Sequence, residues 1–205
     1  VTIPRGGAPA GRWNHNIAHH GVLLDAVPPG CERALDVGCG DGLLTRALAD
    51  RARQVTAIDV DPASVASTRR EVDGLTNVTV IAADVLTHPF EPGSFDAVLS
   101  VATLHHLPLE AGLRRLAELV APGGVLGIVG LARTRGLWDL AFDGVGAVAT
   151  RVHRRRRGYW EHSAAIVDPR SSYTEVLRMA ALLLPGCRYR RHPLFRYSII
   201  WTRPG

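Results

Sequence analysis

The stretch Leu35-Asp36-Val37-Gly38-Cys39-Gly40-Asp41-Gly42 constrains this chain more than any other. An apolar run that breaks into glycines at alternate positions reads as a strand turning sharply into a helix. Its backbone can approach a ligand where any Cβ would collide with it. The helix is expected from Leu43 to Ala49, and its first turn offers unpaired N–H groups and a partial positive charge. Seventeen residues beyond Gly42, Asp59 closes the strand-like Val55-Thr56-Ala57-Ile58. A carboxylate at that place can accept both hydroxyls of a ribose. Loop and acid together read as a nucleoside-cofactor site.

The glycines run G-x-G-x-G, with Leu43 standing where a dinucleotide fingerprint has its third glycine. Asp36 lies at the tip of its own strand, where a dinucleotide fold would bring a diphosphate close, so its charge suits a cationic ligand better. Further along, Val78 to Ala83 reads as a third strand ending in Asp84-Val85. Phe95 to Val101 reads as a fourth, ending in Ala102-Thr103-Leu104-His105-His106. Asp61-Pro62 is an N-cap and first-turn pair for a helix running to about Asp73, before Gly74. Leu109, Leu113, Leu116 and Val120 recur at helical spacing, which predicts an amphipathic helix over Pro108 to Val120. Leu119 to Gly124 then reads as the close of that helix, ahead of an apolar run from Val125 to Val129.

In these five ordered motifs, over Gly30 to Leu131, the chain resembles the class I S-adenosylmethionine-dependent methyltransferases. The closest likeness is to their small-molecule group, the methyltransferase type 11/25-like proteins. The resemblance implies S-adenosylmethionine as cofactor and S-adenosylhomocysteine as product. Carried over by position, Gly38, Gly40 and Gly42 would face the methionyl part and Asp36 would anchor its ammonium. Asp59 would hold the ribose, Val60 would pack on adenine and Asp84 would accept from the exocyclic amine. The backbone of Val85 would meet a ring nitrogen, and Val101 would lie beside the methionine end. The implied fold is α/β, a doubly wound Rossmann-like sheet of seven strands in the order 3-2-1-4-5-7-6, the last strand pair antiparallel.

The alternation of strands and helices through the first two thirds agrees with a doubly wound parallel sheet, and 205 residues with 46% apolar content can bury one sizeable core. A single domain over residues 1–205 is expected. Residues 1–29 would form an N-terminal lid helix, 30–131 the cofactor-binding core, 132–170 a lid or substrate insertion, and 171–205 a closing helix and strand pair. The helix is expected over Tyr173 to Leu184. The strands are expected over Tyr189 to His192 and Phe195 to Trp201, with Pro193 at the turn.

Cys31, Cys39 and Cys187 form no C-x-x-C pair, which disfavours a disulfide scaffold or a zinc cluster and suggests a reducing compartment. Cys39 reads as a small residue packed under the cofactor. No charged-then-apolar signal pattern opens the chain and no apolar stretch reaches the ~20 residues that span a bilayer, so a soluble cytoplasmic protein is expected. All 24 basic residues are arginine, which excludes a Schiff-base enzyme, a phosphate-loop lysine and a lysine base. Residues 1–132 carry 10 arginines against 14 acids, and residues 133–205 carry 14 against 5. That basic end, densest at Arg151 and Arg154 to Arg157, reads either as a face for an acidic partner or nucleic acid, or as a solvated arginine surface.

Transfer of a sulfonium methyl needs a nucleophile held near 3–3.5 Å in a dry site, with acid–base help set by the acceptor. His105 and His106, directly after the fourth strand, stand where the methyl should point and are the first catalytic candidates. A loop-fixing role is the competing reading. His15, Tyr159 and His162 are weaker candidates from the two lids. In the N-terminal segment Trp13 and Ile17, one turn apart, either belong to a lid over the cofactor or anchor it to the core. His15 and His19 stand at i, i+4, but no motif places a third ligand, so no metal is expected.

After the fourth strand the chain reads Ser100-Val101-Ala102-Thr103. It therefore lacks the N/D-P-P-Y/F run of amine methylation on nucleobases and glutamine, the cysteine of base-carbon methylation, the acids of metal-dependent catechol methylation and the glutamates of arginine methylation. Methyl transfer to O, N or C of a small molecule, with secondary metabolism as its setting, is the main expectation. Nucleic acid and membrane are not expected as partners, and the protein would be a monomer or homodimer. Three alternatives remain: an RNA methyltransferase using the basic C-terminal third, a non-catalytic S-adenosylmethionine-binding module, and a NAD-dependent oxidoreductase disfavoured by Leu43.

Overall fold

Neighbouring residues of a strand face opposite sides of a sheet, and in this chain both sides are apolar. In the first strand, β1 (Arg33–Val37), Ala34 packs into one buried cluster and Leu35 into another. A sheet so buried must carry helices on both faces. The computed structural model describes residues 14–135, 168–192 and 195–205. The expected lid over 132–170, with Tyr159, His162 and the arginine cluster, lies mostly or wholly outside them, as do Trp13 and Pro193.

The remaining strands are β2 (Gln54–Asp59), β3 (Val78–Ala82), β4 (Phe95–Val101), β5 (Val120–Gly130), β6 (Arg188–His192) and β7 (Arg196–Thr202). They form a seven-stranded sheet in the order β3-β2-β1-β4-β5-β7-β6. Strands β1 to β5 run parallel, and β7 pairs antiparallel with both β5 and β6. This is the fold the motifs implied.

The helices are α1 (His20–Leu24), α2 (Leu43–Ala49), α3 (Pro62–Glu71), α4 (Leu109–Leu119) and α5 (Tyr173–Leu183). Leu23 and Leu24 of α1 and Leu44 and Leu48 of α2 pack with Ala34, Ala97 and Leu99 on one face. Leu113, Leu116 and Leu119 of α4 and Val176 and Ala180 of α5 pack with Leu35, Val37 and Val98 on the other. Truncating such a leucine to alanine costs about 2–5 kcal/mol, so these two layers hold the strand ends in place.

Local signals explain the helix boundaries. The Asp61 carboxylate accepts from the backbone N–H groups of Ala63 and Ser64 at 3.2 and 3.0 Å, ahead of Pro62. Ser172 and Glu175 cap α5 reciprocally, Ser172 Oγ accepting from the Glu175 N–H and a Glu175 oxygen accepting from the Ser172 N–H at 2.7 Å. One boundary departs from expectation. Strand β5 begins at Val120, directly after α4, and pairing jumps from Phe95–Val120 to Ala97–Val125. Ala121 to Gly124 bulge out of that ladder, and the N–H of Gly123 donates to the Arg203 carbonyl while Gly124's carbonyl accepts from the Arg203 N–H.

Candidate active site

The strand order reverses at β1, whose neighbours are β2 on one side and β4 on the other. Crossovers leave in opposite directions there, opening a crevice beyond the carboxyl ends of the strands. A cavity of about 690 Å³ occupies it. Its wall takes in Asp36 to Asp41, Asp59 to Asp61, Ala83 to Val85 and Val101 to Thr103, along with His105, His106 and Arg196.

The glycine loop is bent over the end of β2, with the N–H of Gly38 donating to the Ile58 carbonyl at 2.8 Å. A Cβ on Gly38 would overlap the Thr103 side chain, so loop and β4 close only around a glycine. Gly40 differs. Its φ is +53°, and a Cβ built on it meets no protein atom within 4 Å although the residue lines the cavity. Space kept clear there by a glycine is space for a ligand. Beneath the loop, Cys39 Sγ accepts from Thr68 Oγ1 at 3.2 Å, and burial pushes its thiol up to about 12, which makes it inert packing.

The carboxylates divide into a buried one and more open ones. Asp36 is 1% exposed and accepts from Thr45 Oγ1 at 2.6 Å. Burial raises its pKa to about 7, with the charge of Asp59 adding to the rise and the Thr45 bond opposing it. A buried carboxyl poised at neutrality is stabilised in its ionised form by a cation brought against it. Asp59 accepts from the N–H groups of Gly40 and Asp61 at 3.1 and 3.0 Å, which fixes its orientation at the tip of β2. Beside it Val60 is 65% exposed, a large apolar side chain presented on the cavity wall. Asp84 Oδ1 accepts from the Leu86 N–H at 2.9 Å, and Val85 is buried next to it.

At the other end, β4 runs out into Ala102, whose φ of +54° is left-handed despite its Cβ. The turn over Leu104–His106 follows and sets the His105 and His106 rings 4.1 Å apart. Burial, then the charges of His106 and Arg196, hold His105 down at about 4. Val101 lies on the cavity wall as well. The N-terminal segment covers this end, with Asn14, Asn16, Ile17 and His20 in the wall. His15 is not among the lining residues; its ring lies 6.1 Å from that of Phe195. His19 is buried and its Nδ1 is bonded to the His15 carbonyl oxygen at 2.8 Å, so that i, i+4 pair is tied through its backbone.

A family model described as a methyltransferase domain matches residues 34–124. An uncharacterised methyltransferase of Mycobacterium tuberculosis strain H37Rv is 40% identical over 200 residues, spanning 94% of this chain and 98% of the relative. The ubiquinone biosynthesis O-methyltransferase of Xanthomonas campestris pv. campestris strain B100 is 41% identical over 152 residues, 67% of this chain and 61% of that protein. Among solved structures, the N-methyltransferase NodS from Bradyrhizobium japonicum superposes with a TM-score of 0.63 at 20% identity, covering 93% of this chain and 97% of NodS. The chain belongs to the class I S-adenosylmethionine-dependent methyltransferases. The cofactor of that class is a cation with an ammonium, a ribose diol and an adenine. This methyltransferase's cavity offers carboxylates, an exposed valine and a clear glycine cradle to match.

Some of the wall escaped the sequence. Asn14 folds its own segment, its Oδ1 accepting from the N–H groups of Asn16 and Ile17, both at 2.9 Å. Arg196, 7% exposed, donates from Nε and Nη2 to Asn16 Oδ1 at 3.0 and 2.8 Å. His20, not His15, reaches the cavity, and burial lowers its pKa to about 4. An arginine heading an otherwise apolar strand was the available signal for Arg196, and two asparagines flanking a histidine were the signal for the turn.

Proposed function

We propose that this methyltransferase transfers a methyl group from S-adenosylmethionine to O, N or C of a small-molecule acceptor, with the two bound in the one cavity. The observation that carries the reading is the continuity of that cavity. It runs from Asp59, Val60 and Asp84, past Gly38 and Gly40, to His105, His106 and Arg196, with the 14–20 segment over its far end.

The assigned roles follow position and charge. Asp36 anchors the ammonium, Asp59 the ribose hydroxyls and Asp84 the adenine amine, while Val60 packs on the base and the Val85 backbone meets a ring nitrogen. When bound, the cofactor supplies an activated methyl, because its departure turns a sulfonium into a neutral thioether. The chain's own work is then to orient the acceptor and keep water out. Ile17, Val101 and Leu131 give that end apolar surface. His105, neutral down to about pH 4, accepts a hydrogen bond from an acceptor hydroxyl or amine but is a weak base at neutral pH. His106 is exposed beside it and is the candidate for taking a proton.

Two measurements test the reading. Calorimetry with S-adenosylmethionine and S-adenosylhomocysteine should show one site per chain, and a panel of small phenols, amines and acids should accept labelled methyl groups. Absent cofactor binding would end the proposal. Binding without transfer to any small acceptor, or transfer to RNA that weakens steeply with salt, would replace it.

A further inference from the structure

Helix α2 buries four side chains, Leu43, Leu44, Thr45 and Leu48. The threonine stands apart among them. A β-branched residue is a weaker helix former than leucine or alanine, and a hydroxyl taken out of water is unfavourable unless it is bonded. Inside a helix such a hydroxyl can bond back to the carbonyl four residues earlier. Thr45, 0% exposed, instead donates from Oγ1 to Asp36 Oδ2 at 2.6 Å, across nine positions of the chain. Its place in the helix is therefore explained by Asp36 and not by the helix itself.

The bond has the geometry and the setting of a charge-assisted one. Its length falls in the range of about 2.5–2.7 Å for a hydroxyl on a carboxylate. Both partners are out of water, Asp36 being 1% exposed, so solvent competes little for either. Asp36 reaches the cavity wall and Thr45 does not, although its neighbours Leu43 and Leu44 do. Thr45 therefore acts on a ligand through Asp36.

We propose that Thr45 is a positioning residue for the cofactor, its hydroxyl holding the Asp36 carboxylate in the orientation that receives the methionyl ammonium. The inference rests on reading Asp36 as the anchor of that ammonium. Two effects follow from the one bond. It fixes the carboxylate's rotamer, so that the cation meets an acceptor already in place. It also favours the charged form. Burial raises Asp36 to about 7, the Thr45 bond opposes that rise, and the charge of Asp59 adds to it. Without the hydroxyl the carboxyl keeps its proton to higher pH and presents a neutral acid to a cation. The other titratable groups of this wall are Asp59 and Asp61 around the tip of β2, Cys39 and Asp41 in the loop, and His20 from α1. Cys39 keeps its thiol proton up to about 12 and His20 titrates near 4, so neither changes charge between about pH 6 and 8. Arg46, the charged residue of α2, donates to the Glu71 carbonyl at 2.8 Å, and β4 places Leu99 opposite Asp36.

The test is calorimetry on the full chain, with S-adenosylhomocysteine as the probe that carries the ammonium and methylthioadenosine as the probe that lacks it. In Thr45→Val, which keeps the shape and drops the hydroxyl, S-adenosylhomocysteine affinity at neutral pH should fall by about tenfold or more, as for a hydrogen bond to a charged group. Methylthioadenosine affinity should stay within about twofold of wild type. The pH at which S-adenosylhomocysteine affinity is half-maximal should move up by about one pH unit, and Thr45→Ser should restore both readings. Adding Thr45→Val to Asp36→Asn should bring no further loss, because the carboxylate it acts on is gone. Thr45→Ala, which puts the strongest helix former at this place, should give the same selective loss and covers a valine variant that does not fold. Equal loss for both probes, an unmoved pH profile, no rescue by serine, or full affinity in the valine and alanine variants would each overturn the proposal. Two further results would overturn it at a deeper level. Wild type that binds no S-adenosylhomocysteine would remove the cofactor reading itself, and undiminished affinity in Asp36→Asn would remove the anchor on which Thr45 acts.

Discussion

The two ends of the cavity are built in different ways. The end assigned to the nucleoside comes from the tips of consecutive parallel strands, so its residues follow one another in short runs: 36–41, 59–61 and 83–85. The end assigned to the acceptor takes residues from within 14–20 and 101–107 together with 131 and 196, segments far apart in the chain. The first is a backbone device, with glycines that clear space and carboxylates oriented by main-chain N–H groups. The second is a side-chain device, in which Arg196 is held by Asn16 across 180 positions. Backbone devices leave contiguous motifs and side-chain devices do not. Change at the first end should therefore strike cofactor affinity, and change at the second should strike acceptor use.

The largest effect is expected at the glycine cradle. In Gly40→Val the new side chain enters space that no protein atom fills, while the left-handed φ adds strain of about 1–2 kcal/mol. S-adenosylmethionine affinity measured by calorimetry should fall by about a hundredfold or more, with the circular dichroism spectrum retained. Asp59→Ala comes next. It removes the carboxylate proposed to hold the ribose and frees the Gly40 N–H, and about 2–3 kcal/mol of binding should be lost. Undiminished affinity in either variant would break the assignment of this end to the cofactor.

The fold was legible because its signals are local and repeated. Asp61-Pro62 starts a helix, and Phe95 to Val101 forms the strand the motif implied, residue for residue. The start of β5 was not legible. Leu119 to Gly124 reads as the close of a helix, and only the pairing with β4 and the contact with Arg203 carry the strand through Ala121 to Gly124 as a bulge. The acids proposed for the cofactor, Asp36, Asp59 and Asp84, each stand at one strand end, and all three lie on the cavity wall. Arg196 was not legible, since a strand-heading arginine looks solvated, whereas here it is 7% exposed and bonded to Asn16 Oδ1. Which of His15, His19 and His20 meets the cavity depends on how the docking of Ile17 rotates its segment, and spacing alone does not fix that rotation.

A smaller effect than either substitution should come from pH at Asp36. Its pKa of about 7 lies above the ordinary carboxylate value because burial disfavours the charge. The folded chain without ligand therefore binds more protons than the unfolded chain between about pH 4 and 7, and its stability falls as pH rises through that window. Cofactor binding should have the opposite slope, because an ammonium pairs with the ionised form. Affinity should rise by about tenfold from pH 6 to pH 8, with proton release near neutrality, and Asp36→Asn should flatten the profile. A steep profile in Asp36→Asn would assign the titration to another group.

The smallest change in cofactor affinity is expected from His106→Ala, which is why that variant separates the two ends most sharply. The ring is exposed and stacks obliquely on His105, and the nucleoside end makes no use of it. Affinity for S-adenosylmethionine should stay within about twofold of wild type. If His106 takes the acceptor's proton, turnover on a hydroxyl or amine acceptor should drop by about a hundredfold, the lower range for general base catalysis. The same variant assayed on a carboxylate acceptor should lose far less, because an ionised carboxylate has no proton to surrender before it attacks the methyl group. Comparing the two acceptor types in one variant therefore tells a base from a loop-fixing histidine, since loss of loop order lowers both turnovers together.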